Sequence, residues 1–416
     1  MTTFKAPLDD ILFSLNHVAG ATRLADWDPD TASDILGHFA GFAEQVIAPL
    51  NAPGDAQGAR LENGRVRMPD GFRAAYAQLA EGGWQGLTAP EGHGGMGLSA
   101  AIGAMVSEVF SGANHSLQMV CNLVPGAIST LMSFGNAEQQ AAWVPRLASG
   151  AVLSTMCLTE PGAGSDLSAI RTRAVPEGTG WRIDGEKIFI SGGDQDMSED
   201  ILHLVLARTT EDGLKGLSLF LCPRQPGARV TRIEEKLGLH ASPTCQMVFD
   251  GARAELRGEE GAGLRAMFTL MNHARLDVAL QGVAHAAHGA HIAQAYAAER
   301  RQGRAGDGTP AMIDQHADVH RMLDAQDVAA LTARAFCHIA LVEMEAGTRP
   351  ALVEFLTPLC KVYGSEAGTQ AADLGMQILG GYGYLTEYGL SQIWRDARIC
   401  AIYEGANGIH TRSMVT

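Results

Sequence analysis

Three stretches combine residue types and spacings that suit chemistry. The first is Met156-Cys157-Leu158-Thr159-Glu160-Pro161-Gly162-Ala163-Gly164-Ser165-Asp166. A β-prone run enters a Pro-Gly turn and then a loop of small residues, which exposes backbone N–H groups and a hydroxyl to an anion or a heteroaromatic edge. It is no dinucleotide-binding fingerprint, because the third glycine is absent and no βαβ unit follows. An ordinary glycine-rich turn would use the same residues. The second is Gly185-Glu186-Lys187-Ile188-Phe189-Ile190-Ser191-Gly192-Gly193. Alternation along a strand places Phe189 and Ser191 on one face. An aromatic ring and a hydroxyl there suit a flat ring, although a core strand with an exposed serine reads the same way. The third is Ala401-Ile402-Tyr403-Glu404-Gly405. A carboxylate between an apolar run and a glycine turn can sit in a dry pocket, where its pKa rises and it can act as a base. The alternative is a helix-end glutamate in a surface pair.

The elements that must position these residues fall into three parts. Residues 1–150 read mainly as helix: Leu36, Phe39, Phe42, Ala43, Val46 and Ile47 recur at helical spacing, as do residues in 71–81. A glycine-rich loop at 86–97 follows, then helices over 99–112, 115–134 and 137–148, the last capped by Asn136. Residues 151–261 carry eight short β-prone runs, at 153–158, 169–175, 180–183, 187–191, 201–208, 217–222, 230–233 and 244–248. Their spacing predicts a small barrel or sandwich. Residues 262–416 return to helix, with long amphipathic stretches over 262–286, 314–346 and 351–380 and a loop at 301–310 between the first two. The fold class is α+β multidomain: an N-terminal helical domain, a central small β-barrel or sandwich, and a C-terminal helical bundle.

Composition narrows the function. The chain has 416 residues, 46% of them hydrophobic, and a formal net charge of −15. That acidity argues against a general nucleic-acid or anionic-membrane binder. No apolar run reaches the roughly 18 residues of a membrane helix, and the N-terminus has no secretory pattern. Seven cysteines without a CxxC argue against a disulfide framework or a cysteine zinc site, and favour a reducing, cytoplasmic compartment. His285, His288 and His291 share three-residue spacing, but with no Asp or Cys nearby they read as a histidine face rather than a metal site. The five tryptophans are scattered and read as packing residues. Glycine is abundant, 49 residues, clustered at 91–97, 162–164, 192–193 and 380–383. Such clusters mark turns and close backbone approach to a ligand with phosphates or a flat ring.

Together, in this order and in a helical–β–helical frame, the three stretches resemble the acyl-CoA dehydrogenase family over nearly the whole chain. Lys5-Ala6-Pro7-Leu8-Asp9-Asp10-Ile11-Leu12-Phe13 and His316-Ala317-Asp318-Val319-His320-Arg321-Met322 resemble the subgroup that includes 3-methylmercaptopropionyl-CoA dehydrogenase. That subgroup carries a further C-terminal domain, whereas this sequence stops 12 residues after Glu404.

The resemblance implies an FAD-dependent enzyme that desaturates an acyl-CoA and passes electrons to an electron-transfer flavoprotein. It places flavin contacts at Met156, Leu158, Thr159, Gly164, Ser165, Phe189 and Ser191. A second subunit would supply Arg300, Gln302, Gln377, Gly380 and Gly381, which implies a homo-oligomer, a dimer of dimers. Substrate contacts fall on Ser165, Arg275, Tyr403 and Gly405, and the α-proton base on Glu404. The alternative base position of some branches is Ala274 here. The chain departs from the family at Ala406, where Thr is usual, and at Gly303, where Phe is usual. The resemblance also leaves room for one subunit of a heteromeric dehydrogenase, or for a non-desaturating, flavin-binding regulatory or nucleic-acid-protecting member of the fold.

Overall fold

The computed structural model describes residues 3–415, with the side chains of 269, 270 and 272 excepted. Its first part comprises α1 (Leu8–Phe13), α2 (Pro29–Phe42), α3 (Asn51–Gln57), a hairpin of β1 (Arg60–Glu62) and β2 (Arg65–Arg67), α4 (Phe72–Glu81), α5 (Ala100–Cys121), α6 (Leu123–Phe134) and α7 (Ala137–Ala148). Local chemistry sets the helix starts. Asp28 accepts from Thr31 N ahead of Pro29, and Asn136 forms a reciprocal cap with Gln139. Inside α5 the backbone leaves helical geometry at Asn114 (φ −162°, ψ 91°). There Asn114 Oδ1 accepts from Leu117 N at 3.0 Å and recaps the helix. The sequence reading ran 115–134 as one helix, but the chain bends by 45° between α5 and α6. Pro125 has no N–H to donate to the Cys121 carbonyl, so the ladder breaks at that point.

Seven strands follow: β3 (Val152–Cys157), β4 (Arg173–Glu177), β5 (Gly180–Ser191), β6 (Asp200–Arg208), β7 (Leu217–Pro223), β8 (Ala228–Ile233) and β9 (Thr244–Arg257). The pairings β6–β7, β7–β9, β9–β5, β5–β4 and the contact of Arg173 with Arg208 on β6 close a barrel, with β3 added on β6 and β8 on β9. Closure leaves no long unpaired edge in the ring. The runs at 180–183 and 187–191, read as two strands, are one. Gly185 (φ +151°) carries the strand past Thr172, whose Oγ1 would lie 2.5 Å from any Cβ placed there, so the chain bulges without stopping.

The last part is α8 (Gly263–Glu299), a hairpin of β10 (Arg301–Arg304) and β11 (Pro310–Met312) where the sequence suggested a loop, α9 (Ala317–Ala346), α10 (Pro350–Leu379), α11 (Leu390–Ala397) and α12 (Asn407–Ser413). Among the described residues no single helix is long and apolar enough to cross a membrane. Helices α8 and α10 cross with their backbones nearly touching. A Cβ on Gly282 would fall 2.1 Å from the Gly364 carbonyl oxygen, and one on Gly368 would fall 2.7 Å from that of Gly282. Only glycine permits that approach, and it brings Lys361 and Ser365 of α10 against the 405–407 turn.

Gly282→Ala should therefore destabilise the protein by about 1–3 kcal/mol through overpacking. Gly37→Ala, on the exposed face of α2 with open space around it, should stabilise it by about 0.4–1 kcal/mol. Denaturant unfolding of both variants checks the contrast.

Candidate active site

Glu404 lies between the turn Arg398–Ala401 and helix α12. Its φ is +52°, a left-handed conformation that costs a non-glycine residue about 1–3 kcal/mol and persists only where the surroundings enforce it. The enforcing contacts are visible. Lys361 Nζ donates to the Gly405 carbonyl oxygen (2.6 Å) and to Asn407 Oδ1 (3.0 Å). Asn407 Nδ2 donates to Ser365 Oγ at 3.1 Å. His410 Nε2 donates to the Glu404 carbonyl oxygen at 3.0 Å. Gly405 (φ +98°) leaves room for the imidazole, since a Cβ there would stand 2.7 Å from His410 Nε2.

The Glu404 carboxyl is shielded, and its Oε2 has no hydrogen-bond partner. Burial pushes its pKa up to about 7; the Arg275 and Lys361 charges oppose the rise and Asp277 adds to it. Burial in turn holds Lys361 down to about 8. The side chain thus has the properties of a general base poised near neutrality.

Tyr403, the neighbouring residue, is tied into a buried polar network. Its hydroxyl donates to Gln281 Oε1 and meets His115 Nε2 at 3.2 Å. His115 Nδ1 meets His285 Nε2 at 2.8 Å. Burial depresses both imidazoles, His115 to about 4, so both are neutral at pH 7. His288 packs edge-on against Phe4. Two of the three histidines of that face, His285 and His288, are therefore engaged by hydrogen-bonding and aromatic partners.

The second group of expected residues gathers on the barrel. Strand β3 ends at Cys157, and the loop after it is pinned to β5 from below. Fully buried Lys187 donates to the Leu158 carbonyl oxygen (2.9 Å) and to Glu160 Oε1 (2.7 Å). Glu160 also accepts from Arg171 N and Thr172 N. Burial works against the Glu160 charge, but Lys187 and these donors hold its pKa below the ordinary value. Ile188 N donates to the Thr159 carbonyl oxygen at 2.9 Å. Above this base, Met156, Thr159 and Ser191 are half-buried, Leu158 is buried and Ser165 is exposed. Open space surrounds Gly162 and Gly164. Phe189 is 60% exposed and has a left-handed φ of +60°. A strained aromatic left uncovered suits a flat ligand laid against it. At the end of β5, a Cβ on Gly192 would lie 3.3 Å from Val120 of α5, so this surface adjoins the bend between α5 and α6.

The remaining expected residues collect elsewhere, where α8 and α10 end. The Arg300 guanidinium lies 5.6 Å from the centre of the Tyr382 ring. Gln302 is on β10, with its carbonyl oxygen bonded to His316 Nε2 at 2.7 Å. Gln377 is exposed in the last turn of α10, followed by Gly380 (φ +60°) and Gly381, both in open space. Arg275 is on α8, with its charge felt at Glu404. The fold thus brings Arg275, Tyr403, Glu404 and Gly405 together, while the barrel surface and the α8–α10 end form two further groups. Sequence reasoning missed Lys361, Asn407 and His410, which clamp the Glu404 turn, and Lys187 and Glu160, which support the barrel loop. A lysine within the apolar run Leu359-Cys360-Lys361-Val362 was the available signal for the clamp.

Lys187→Met would strand a buried carboxylate, and should cost about 3–5 kcal/mol. Adding Glu160→Gln should recover part of the loss. Arg182→Ala, which breaks only exposed, solvent-screened pairs with Asp184 and Glu177, should leave stability close to that of the wild type. Unfolding free energies of the four proteins test the ranking.

Comparison with known proteins bears on the same geometry. The chain matches family models described as acyl-CoA dehydrogenase N-terminal domain (residues 29–151), middle domain (155–252) and C-terminal domain (261–416). It is 40% identical to the 3-methylmercaptopropionyl-CoA dehydrogenase of Ruegeria pomeroyi, across 99% of this chain and 76% of that protein. Among solved structures, a chain of the electron transferring flavoprotein of Acidaminococcus fermentans superposes with a TM-score of 0.83 at 27% identity, covering 92% of this chain and 96% of that one. The acyl-CoA dehydrogenase of Geobacillus kaustophilus superposes at 0.82 and 26% identity, over 94% and 99% of the two chains.

Proposed function

Because the chain belongs to the acyl-CoA dehydrogenase family of oxidoreductases, we propose that it desaturates an acyl-CoA thioester between its α and β carbons, with Glu404 as the base. The observation that carries this reading is the Glu404 carboxyl itself. It is shielded, unpartnered at Oε2, and raised into the neutral range by burial.

In this reading Glu404 takes the α-proton, and its own backbone N–H donates to the thioester carbonyl, where negative charge develops. Arg275 and Lys361 keep the ionised form accessible without pairing it fully, so the carboxylate retains its basicity. The clamp on Gly405 and Asn407 fixes where the carboxylate stands. FAD, when bound, would supply the hydride acceptor, with an electron-transfer flavoprotein as the onward electron partner. The residues present fit that group: exposed, strained Phe189 with Ser191 offers an aromatic face and a hydroxyl, and the open backbone at Gly162 and Gly164 offers room beside Thr159 and Ser165. Arg300, Gln302, Gln377, Gly380 and Gly381 form a separate exposed group, suited to a neighbouring subunit's cofactor. Tyr384, Phe355 and Val328, exposed on the same helical domain, suit burial between subunits. The protein then works as a homo-oligomer, a dimer of dimers, and its seven buried free thiols suit a reducing, cytoplasmic compartment.

The purified protein should be yellow, with one FAD per protomer, and should bleach anaerobically with an acyl-CoA from a panel of chain lengths. A colourless protein that takes up no flavin on reconstitution would refute the cofactor assignment. A flavin-loaded monomer in light scattering would refute the assembly.

Glu404→Gln should keep the fold and the flavin but lose bleaching by at least about 10²–10⁴ in rate. The same variant has a stability signature. A carboxyl raised in the folded state from 4.5 to about 7 binds more protons folded than unfolded across that window, so its contribution makes stability fall as pH rises from 4.5 to 7. Glu404→Gln should remove that component of the slope. Wild-type bleaching in the variant, or an unchanged slope, would place the base elsewhere.

A further inference from the structure

A buried hydrogen-bonded chain runs from α5 and α8 to Tyr403, the residue before Glu404. Inside α5 the backbone leaves helical geometry at Asn114, and His115 is the residue that follows. Its ring lies between α8 and the base turn: Nδ1 stands 2.8 Å from His285 Nε2, and Nε2 stands 3.2 Å from the Tyr403 hydroxyl. His115, Gln281 and His285 are all buried. The proposed reaction gives none of them a part.

The donors and acceptors set the direction of each bond. Gln281 Nε2 donates to Gln118 Oε1 and to Asp277 Oδ2, both at 3.0 Å. Its Oε1 therefore faces Tyr403 and takes the hydroxyl proton. That hydroxyl has one proton, so His115 must be the donor in the remaining bond, with the hydrogen on Nε2. Burial keeps both imidazoles neutral at pH 7, and a neutral imidazole has one donor and one acceptor. His115 Nδ1 is then the acceptor, and His285 Nε2 donates to it. Cys400 Sγ, 3.9 Å from the hydroxyl, is a weak partner that leaves this order unchanged. The chain thus runs one way, from His285 to His115 to Tyr403 to Gln281.

This order bears on Glu404 because its left-handed backbone has to be held from both sides. On the far side, Lys361 holds Gly405 and Asn407, and His410 holds the Glu404 carbonyl oxygen. On the near side, Tyr403 N donates to the Ile399 carbonyl oxygen at 3.2 Å, and the Tyr403 hydroxyl is fastened to α8 by Gln281 and to α5 by His115.

We infer that His115 is a positioning residue for proton abstraction: its Nε2–H fixes the Tyr403 side chain, and with it the backbone on the near side of Glu404, so that the carboxylate stands where the α-proton is taken. His285 serves the same end by holding His115 in the tautomer that donates to Tyr403. The effect of both histidines runs through the Tyr403 hydroxyl. The inference rests on the reading of Glu404 as the base.

The test measures the rate of anaerobic flavin reduction at saturating acyl-CoA, together with KM, using the best substrate of the panel. His115→Leu should slow reduction by about 10²-fold, the order expected when a reacting group is displaced by about 1 Å, with a much smaller change in KM. His115→Gln keeps a donor at similar reach and should restore most of the rate. Tyr403→Phe should slow reduction to a like degree. The double variant His115→Leu, Tyr403→Phe should be no slower than Tyr403→Phe alone, because both changes break one link. Flavin content and melting temperature verify folding. If His115→Leu fails to fold, the contrast between a fast His115→Gln and a slow Tyr403→Phe decides. A wild-type rate in His115→Leu or Tyr403→Phe, a loss expressed wholly in KM, no recovery in His115→Gln, or losses that multiply in the double variant would overturn the positioning role while leaving desaturation intact. A wild-type protein reduced by no acyl-CoA, or a Glu404→Gln protein reduced as fast as the wild type, would overturn the proposed function and this inference with it.

Discussion

Removing a carboxylate from water without giving it a full partner is expensive, and the C-terminal half of this protein is arranged around sustaining that state at Glu404. A paired glutamate would be more stable and less basic. Here the charges of Arg275 and Lys361 oppose the rise in its pKa without cancelling it, and Asp277 adds to the rise. The turn that presents the side chain is strained, and it is held by Lys361, Asn407 and His410. Lys361 reaches it because α8 and α10 approach through Gly282, Gly364 and Gly368. A packing constraint between two helices thereby sets the position of the Glu404 carboxyl on the chain that follows them.

The barrel repeats the same logic with different parts. Among the described residues only Asn63, Phe189, Leu239 and Glu404 are non-glycine residues with left-handed φ, and two of them are the aromatic and the carboxylate singled out from sequence. Beneath Phe189 lies the buried Lys187–Glu160 pair. Such a pair contributes little net stability. Its geometric effect is to fix the loop from Leu158 to Ala163 against β5. Strain thus falls at two positions where a ligand is expected, and each is held by buried, hydrogen-bonded supports.

Much of this was legible in the residues themselves. Helical periodicity located the long elements, and Asn136 announced its own helix. Three local patterns marked the glycine-rich barrel loop, the aromatic strand and the Glu404 turn, because each is contained in a dozen residues or fewer. The bend at Asn122 was hidden because apolar spacing continues through it, and only the missing N–H of Pro125 betrays it. The continuous β5 was read as two strands because Gly185 ordinarily ends one. The supports were least legible. Lys361 and Asn407 are 46 residues apart, and Asp277 meets Asn122 across 155. Nothing in local composition pairs them until the helices are packed.

The idea that burial, more than any single neighbour, makes Glu404 a neutral-range base can be examined without a substrate. Infrared difference spectra between wild type and Glu404→Gln isolate the carboxyl stretch of that one side chain, which can be followed against pH. A protonated carboxyl band should persist well above pH 4.5 and disappear with a midpoint at about 7. A band that disappears near the ordinary glutamate value would show the carboxylate to be solvated and would contradict the account.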